Sequence, residues 1–247
     1  MSEDVLKKQQ IEVEFWKNSL TEAPESTAIE NIVNKMCEAK VFLNCLSRHK
    51  TKLALTGRVL ELGAGQGWAS CFYKRQFPAV ETVVTDISPY AIQSVHKWER
   101  ILECKIDQAY ACKAYETRED DSSVDQIFCF AAAHHFLEHK KTIKEIARIL
   151  KPGGRAFYFQ EPCTSRLFYK PAYYRVNRKR PEVPEDLLIT EEIKVLAANV
   201  GLNLEIDYNP STLMRGAIET MYFFVLGRLP FLQDYLPATA HFIFEKV

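Results

Sequence analysis

Three glycines stand at alternate positions in Glu61-Leu62-Gly63-Ala64-Gly65-Gln66-Gly67, directly after the β-rich run Arg58 to Leu62 and just before a helical one. Glycine in such a turn lets the backbone approach a ligand closely, and the next helix presents its unpaired N–H groups and positive end at the same place. Glycines also serve ordinary tight turns. An acidic residue, Asp86, closes the second β-rich run, and two adjacent histidines, His134 and His135, follow the fourth. Imidazole titrates near neutral pH, so a histidine there can take up a proton. Neighbouring side chains point in different directions, so at most one of the pair faces a common partner. Either one of them acts as a general base or orients an acceptor, or both pack or cap at a helix entrance. His139, beside Lys140 and Lys141, is expected in solvent. No carboxylate cluster accompanies these histidines at a recognisable spacing, so no metal is expected.

The elements that must position these residues are legible in the hydrophobic pattern. Apolar residues from Ser26 to Leu46 recur mostly at three- and four-residue steps, and Thr27 with Glu30 has the spacing of a capping box. A shorter helical stretch, Val5 to Trp16, precedes it across a turn at residues 21–24. Short β-rich runs follow at Arg58–Leu62, Val80–Asp86, Ile106–Ala111, Val124–Ala131 and Arg155–Gln160, alternating with helical segments. Such alternation implies parallel strands joined by crossover helices, an α/β fold. Ser88-Pro89 reads as the cap and first residue of a helix over Tyr90–Glu103, and Lys151-Pro152-Gly153-Gly154 stops a helix over Thr142–Leu150. Residues 163–189 show no clear period. Thr190 is expected to cap a helix ending near Gly201, followed by a strand at Leu204–Tyr208, a helix near Leu213–Leu226 and a strand at Ala240–Lys246.

The chain of 247 residues is 47% hydrophobic and 26% charged, which suits one substantial core, and a single domain with additions is the simplest organisation. Thirty-two Lys and Arg balance thirty-two Asp and Glu, so the positive field that neutralises phosphates is missing and nucleic acid is not an expected partner. Seven scattered cysteines form no Cys-x-x-Cys pair and read as reduced thiols of a cytoplasmic protein. The first residues are polar and no apolar run approaches the roughly 18 to 20 residues that span a bilayer, so neither a signal peptide nor stable membrane insertion is expected.

The stretch from Glu61 to Gly67 resembles the first motif of class I S-adenosylmethionine-dependent methyltransferases, Glu/Asp-x-Gly-x-Gly-x-Gly, and the resemblance extends from about Arg58 to Glu161. Val84-Thr85-Asp86-Ile87-Ser88-Pro89 looks like the second motif, Phe130-Ala131-Ala132-Ala133-His134-His135-Phe136 is similar to the His-His-Phe segment of small-molecule members, and Leu150-Lys151-Pro152-Gly153-Gly154-Arg155 is similar to the turn before strand five. The resemblance implies a Rossmann-like seven-stranded, mostly parallel sheet with helices on both faces and an N-terminal helical cap. It divides the chain into the cap (1–50), a cofactor-binding core (51–162) and a substrate lid with the rest of the same domain (163–247). It places S-adenosyl-L-methionine across Gly63, Ala64, Gly65 and Gly67, Asp86 and Ile87, Lys113 and Ala114, and Ala131. Asp86 would take both ribose hydroxyls, since a diol offers two donors to two carboxylate oxygens, and Glu61 would lie near the methionine moiety. Lys113 departs from the family, falling where an acidic residue commonly receives the adenine amino group. A lysine can only donate, so either backbone groups around Ala114 hold the adenine or Lys113 turns to solvent.

With a reactive methyl group supplied by the cofactor, a protein must chiefly align the acceptor, exclude water and remove a proton. The implied activity is methyl transfer to oxygen, or nitrogen, of a small molecule, with sugars, glycolipids and secondary metabolites as candidate acceptors. The stretch Cys163–Pro181 carries Arg166, Lys170, Arg175, Arg178, Lys179 and Arg180 among four aromatics; it is either a lid over an anionic or sugar-containing acceptor or a solvated loop. The apolar run Gly216–Pro237 is core or a homodimer face, with contact to a lipid or aromatic substrate or to a membrane surface as the alternative, and Phe15 and Trp16 either close over the cofactor, as the resemblance implies, or simply pack. Three other readings compete. Protein or nucleic-acid methylation is one, against which stands the missing Asn/Asp-Pro-Pro-Tyr/Phe segment. A nicotinamide-dependent oxidoreductase is another, disfavoured by the glycine spacing. The third is an inactive cofactor-binding subunit, hinted at by Lys113.

Overall fold

A computed structural model describes residues 3–24, 26, 28–178, 185–212 and 215–247. Helices α1 (Glu3–Asn18) and α2 (Ile29–Arg48) lead into strand β1 (Gly57–Leu62), α3 (Trp68–Gln76), β2 (Val80–Asp86), α4 (Pro89–Gln93), α5 (Val95–Leu102), β3 (Gln108–Ala111) and β4 (Val124–Phe130). The chain continues through α6 (His139–Ile149), β5 (Leu150–Thr164), α7 (Tyr169–Asn177), β6 (Leu188–Ile189), α8 (Thr190–Ala198), β7 (Leu202–Tyr208), α9 (Ala217–Arg228) and β8 (Ala238–Lys246).

The strands form one 8-stranded sheet in the order β3-β2-β1-β4-β5-β8-β7, with β6 beside β5. All pairs from β3 to β6 are parallel, and β8 runs antiparallel between β5 and β7. The α/β architecture is the expected one with a strand more than expected. The extra strand, β6, is two residues long, too short to carry a period. Because the strands are covered on both faces, they are apolar at successive positions. Val59, Phe128 and Phe157 pack on one side with Phe42, Trp68 and Trp98 from α2, α3 and α5. Leu60, Ile127 and Tyr158 pack on the other with Ile143, Ile193 and Phe223 from α6, α8 and α9.

Several local expectations are corrected. The helix expected over Tyr90–Glu103 breaks at Ser94 into α4 and α5, although Ser88 does cap it, accepting from Ala91 N at 3.4 Å with Pro89 in the first turn. Thr27 lies outside the described residues, and Ala28 stands at the start of α2 without a side-chain cap. Thr190 is the first residue of α8, not its cap, and its hydroxyl bonds to Glu191. Residues 169–177, which carry no clear period, are helical: α7 buries only Ala172, so there is no apolar stripe to detect. Strand β5 runs well past Gln160, with a bulge between Tyr158 and Glu161 where Gln160 adopts φ 60°. His139 is not in solvent: its Nδ1 is buried and unpaired among the described residues. Within 216–237, α9 buries Phe223 and Leu226 but exposes Ile218, Met221 and Phe224. Among the described residues no helix is long and apolar enough to cross a membrane.

Candidate active site

The sheet order reverses between β1 and β4, and at such a switch point the connections leave on opposite faces and open a crevice beyond the strand ends. A cavity of about 980 Å³ occupies that position, at the upper end of the roughly 300–1,000 Å³ typical of small-molecule sites. It runs from the end of β3 to the connection before α9. Gly63, Ala64, Gly65, Asp86, Ile87, Lys113, Ala114, Ala131 and His135 all line it, whereas Glu61, Gly67 and His134 do not.

The turn after β1 is built for close approach. Gly63, Gly65 and Gly67 have φ of 64°, 52° and 76°, a region costly for residues with a Cβ. A Cβ on Gly65 would stand 3.0 Å from the ring of Trp16 on α1, and one on Gly67 would stand 2.8 Å from Val95. Gly67 therefore lets α3 pack on α5, while Gly63 and Gly65 keep the cavity wall thin. Glu61 lies behind this wall, 2% exposed, where one carboxylate oxygen accepts from both the backbone N–H and the hydroxyl of Ser70 at the start of α3. Burial pushes its carboxyl up to about 8, against the lowering effect of Ser70. Its observed work is to tie β1 to α3.

Asp86 reaches the cavity from the end of β2. Its two oxygens accept 2.8 Å bonds from Gly65 N and Ser88 N, which fixes the carboxylate and leaves further acceptor lone pairs for a diol. Burial raises its carboxyl to about 6, opposed by those two N–H groups. Lys113 turns within its own loop, 3.5 Å from Glu116 and over the Tyr115 ring, leaving the backbone around Ala114 at the cavity wall.

The histidines divide. His134 points away from the main cavity: its Nδ1 lies 2.8 Å from Glu161, a fully buried carboxylate that also accepts the backbone N–H groups of Ala132, Ala133 and His134. His135 faces the cavity, with Nδ1 3.2 Å from Glu12 of α1. Burial lowers its pKa, but the bonded Glu12 carboxylate, together with the charges of Glu161 and Glu185, outweighs burial and the net shift is upward. Beside it, Ala131 just after β4 and Gln160 at the bulge within β5 both adopt positive φ, 47° and 60°. Non-glycine residues held there cost about 1–2 kcal/mol each and concentrate at functional sites.

Of the two readings of Phe15 and Trp16, closure over the cavity or plain packing, the lining of the cavity agrees with the first, while Gln9 and Glu12 gave no signal in the sequence. Helix α1 closes the cavity through Gln9, Glu12, Phe15 and Trp16, pinned by Gln9 to the Tyr115 hydroxyl at 3.1 Å. The described basic residues of the stretch after β5 do not line the main cavity. Arg166 pairs with Glu192, and Arg175 lies 4.0 Å from Glu219. The cation that does line the cavity beyond β5 is Arg215, which stood in an apolar context and gave no signal. Lys179 and Arg180 lie outside the described residues.

Away from the cavity, His49 just after α2 and His241 of β8, both buried, form a polar cluster with the half-buried Asp207 of β7, His49 Nε2 lying 2.7 Å from His241 Nδ1. Arg48 already clasps Asp207 through bonds of 2.5 and 2.6 Å. Burial, reinforced by His49, lowers His241 to about 3, and burial also lowers His49. Unfolded histidines protonate below about 6.5 while these stay neutral, so their contribution is full above that pH and is lost as pH falls from 6.5 towards 3. Urea unfolding at pH 7.5 and pH 5 should therefore show a steeper loss for the wild type than for His241→Gln; parallel losses would remove the cluster from the acid response.

Residues 60–158 match a family model described as "Methyltransferase domain". That stretch is therefore similar to a methyltransferase domain, and the sheet order and the glycine turn agree with that likeness. An uncharacterized methyltransferase-like protein of Schizosaccharomyces pombe is 31% identical over 100 residues, covering 40% of this chain and 36% of that one. The ubiquinone biosynthesis O-methyltransferase of Xanthomonas euvesicatoria is 28% identical over 163 residues, 63% of this chain and 66% of that one. The chain spans little more than a third of the first curated relatives it matches, 36% and 39%. Among solved structures, geranyl diphosphate C-methyltransferase from Streptomyces coelicolor superposes with a TM-score of 0.70 at 14% identity, over 97% of this chain and 98% of that one. That likeness concerns the fold.

Proposed function

We propose that this protein transfers a methyl group from S-adenosyl-L-methionine to an oxygen, or a nitrogen, of a small molecule. The observation that carries the reading is one continuous cavity joining the Gly63–Gly65 wall and Asp86 to His135 and an open space beyond β5. The residues present fit the cofactor: an anchored carboxylate stands where a ribose diol needs two acceptors, and small residues line the wall beside it.

The cofactor supplies a methyl group on a sulfonium, already activated for displacement. Asp86 holds the ribose hydroxyls, and the backbone around Ala114 holds the adenine, with Lys113 engaged by Glu116. Helix α1 keeps water out through Phe15 and Trp16. His135, with Nδ1 at Glu12, would take the proton from an acceptor hydroxyl, or from an acceptor ammonium to free its nitrogen lone pair, while the cofactor would supply the methyl group and its sulfur would keep the electrons of the S–C bond that breaks. His134 orients the turn through Glu161. O-methylation is favoured within this reading because a hydroxyl acceptor needs the base that His135 provides, and the Xanthomonas relative is named for that reaction.

Titration calorimetry with S-adenosylmethionine, S-adenosylhomocysteine and NAD tests the reading: the first two bind and NAD does not. Asp86→Ala should weaken cofactor binding about tenfold or more, since charge-assisted hydrogen bonds contribute roughly 1.5–3 kcal/mol. Unchanged affinity would remove Asp86 from the ribose site, and binding of NAD alone would overturn the function.

A further inference from the structure

The far end of the cavity carries a cation held ready for an anion. Arg215 lies on the connection between β7 and α9, half-buried, and lines the cavity on the side of β5 and β8, across the sheet from Asp86. Its guanidinium is fixed from three directions. Nε donates to Ser211 O at 2.6 Å, Nη2 donates to Thr239 Oγ1 on β8 at 2.8 Å, and the group stacks 3.5 Å from the centre of the buried Phe223 ring. Those bonds use one hydrogen on Nε and one on Nη2, so both Nη1 hydrogens and the second on Nη2 have no partner among the described residues.

The charge is equally uncompensated. Among the described residues no carboxylate forms an ion pair with Arg215. Glu219, which acts on it electrostatically, lies 4.0 Å from Arg175, and Arg175 adds a second positive charge to the neighbourhood. Burial accordingly lowers the pKa of the Arg215 guanidinium, with Glu219 opposing and Arg175 reinforcing the shift. Withdrawing a guanidinium from water without a counter-charge is unfavourable unless a ligand supplies one, and a planar fork held rigid by stacking loses little entropy on binding a carboxylate or phosphate.

We infer that Arg215 is the residue that recognises an anionic oxygen group, carboxylate or phosphate, on the methyl acceptor. This rests on the methyltransferase reading above and deepens it. The cofactor occupies the β1–β2–β3 side, His135 stands at the middle, and the acceptor lies between His135 and Arg215, its anion drawn to the guanidinium and its nucleophilic atom turned back towards the methyl group. Among the described residues, the positive end of the acceptor site is thus Arg215, from an apolar stretch, while Lys170 and Arg175 of α7 stay outside.

The test is ligand-observed saturation-transfer NMR with phenyl phosphate and benzoate on the protein loaded with S-adenosylhomocysteine, phenol serving as the uncharged control. At least one anion should bind the wild type more tightly than phenol does. Arg215→Gln should raise its dissociation constant by about tenfold or more, Arg215→Lys should raise it less, and S-adenosylhomocysteine affinity should be equal in all three proteins, which verifies the fold. The anion that binds more tightly identifies the acceptor group as carboxylate or phosphate. Equal binding of phenol and the anions, no anion binding by the wild type, or undiminished binding by Arg215→Gln would overturn the assignment. Failure of S-adenosylhomocysteine to bind the wild type would instead sink the methyltransferase reading, and the same titration of the unliganded protein would still decide the role of Arg215.

Discussion

Substitution of His135 by glutamine should lower kcat by about 10²- to 10⁴-fold, the range a positioned proton acceptor contributes, with cofactor affinity little changed. Glutamine keeps the size and a hydrogen-bonding tip but cannot take a proton, so the loss isolates proton transfer from packing. Burial lowers the His135 pKa, but Glu12, 3.2 Å from its Nδ1, together with the charges of Glu161 and Glu185 sets the imidazole above its ordinary 6.5. The sign follows: His135 is a base only when neutral, so kcat/KM rises with pH through that elevated pKa and levels off above it. Glu12→Gln removes the strongest raising partner and should move the rising limb to lower pH. His134→Gln should leave the limb where it is, because His134 faces Glu161 and not the cavity. A His135→Gln enzyme with wild-type kcat, or a limb that moves with His134 and not with Glu12, would assign the proton to another group.

What the sequence made legible depends on how local each feature is. The glycine turn and Asp86 each sit at the end of a strand that announces itself by its β-rich run, and the parallel register of β1 with β2 sets Leu62 beside Thr85. Gly65 and Asp86 thus meet wherever that unit forms. The unequal roles of His134 and His135 are legible only as an alternation of direction, because Glu161 and Glu12, which separate them, come from distant elements. Charge density misleads in the same way. The basic residues of 166–178 crowd together in sequence yet their described members pair with α8 and α9 or face solvent, whereas Arg215 stands alone among apolar residues and lines the cavity. Helix α1 shows why closure by Phe15 and Trp16 could be raised from resemblance but not told from plain packing by pattern. Its apolar residues do not make a core stripe, and the work of Glu12 and Trp16 lies in what they cover.

Glu161 should prove the most sensitive position for stability, and Glu161→Ala should cost about 3–5 kcal/mol, the range for removing one partner from a buried charge network. Its carboxylate has no exposure, and five donors converge on it: the N–H groups of Ala132, Ala133 and His134 at 2.8, 2.9 and 3.1 Å, His134 Nδ1 at 2.8 Å and the Cys129 thiol at 3.8 Å. Burial raises its pKa, but these donors prevail and the net shift is downward. A depressed carboxyl stabilises the fold above its ordinary pKa near 4.5, and that stability is lost as pH falls through the depressed value. Native proteins hold only about 5–15 kcal/mol in reserve, so the alanine variant may be measured against Glu161→Gln, which keeps the volume and one acceptor oxygen and should lose less. Urea unfolding at pH 7 distinguishes the outcomes. A loss below about 1 kcal/mol for alanine would mean that water replaces the carboxylate, which its complete burial argues against. Because the same bonds shape the turn that carries His135, the glutamine variant should also lose turnover while binding S-adenosylhomocysteine as the wild type does. The Glu161 charge also helps to raise His135, so Glu161→Gln should move the pH limb down, by less than Glu12→Gln does, while still keeping a limb that His135→Gln abolishes.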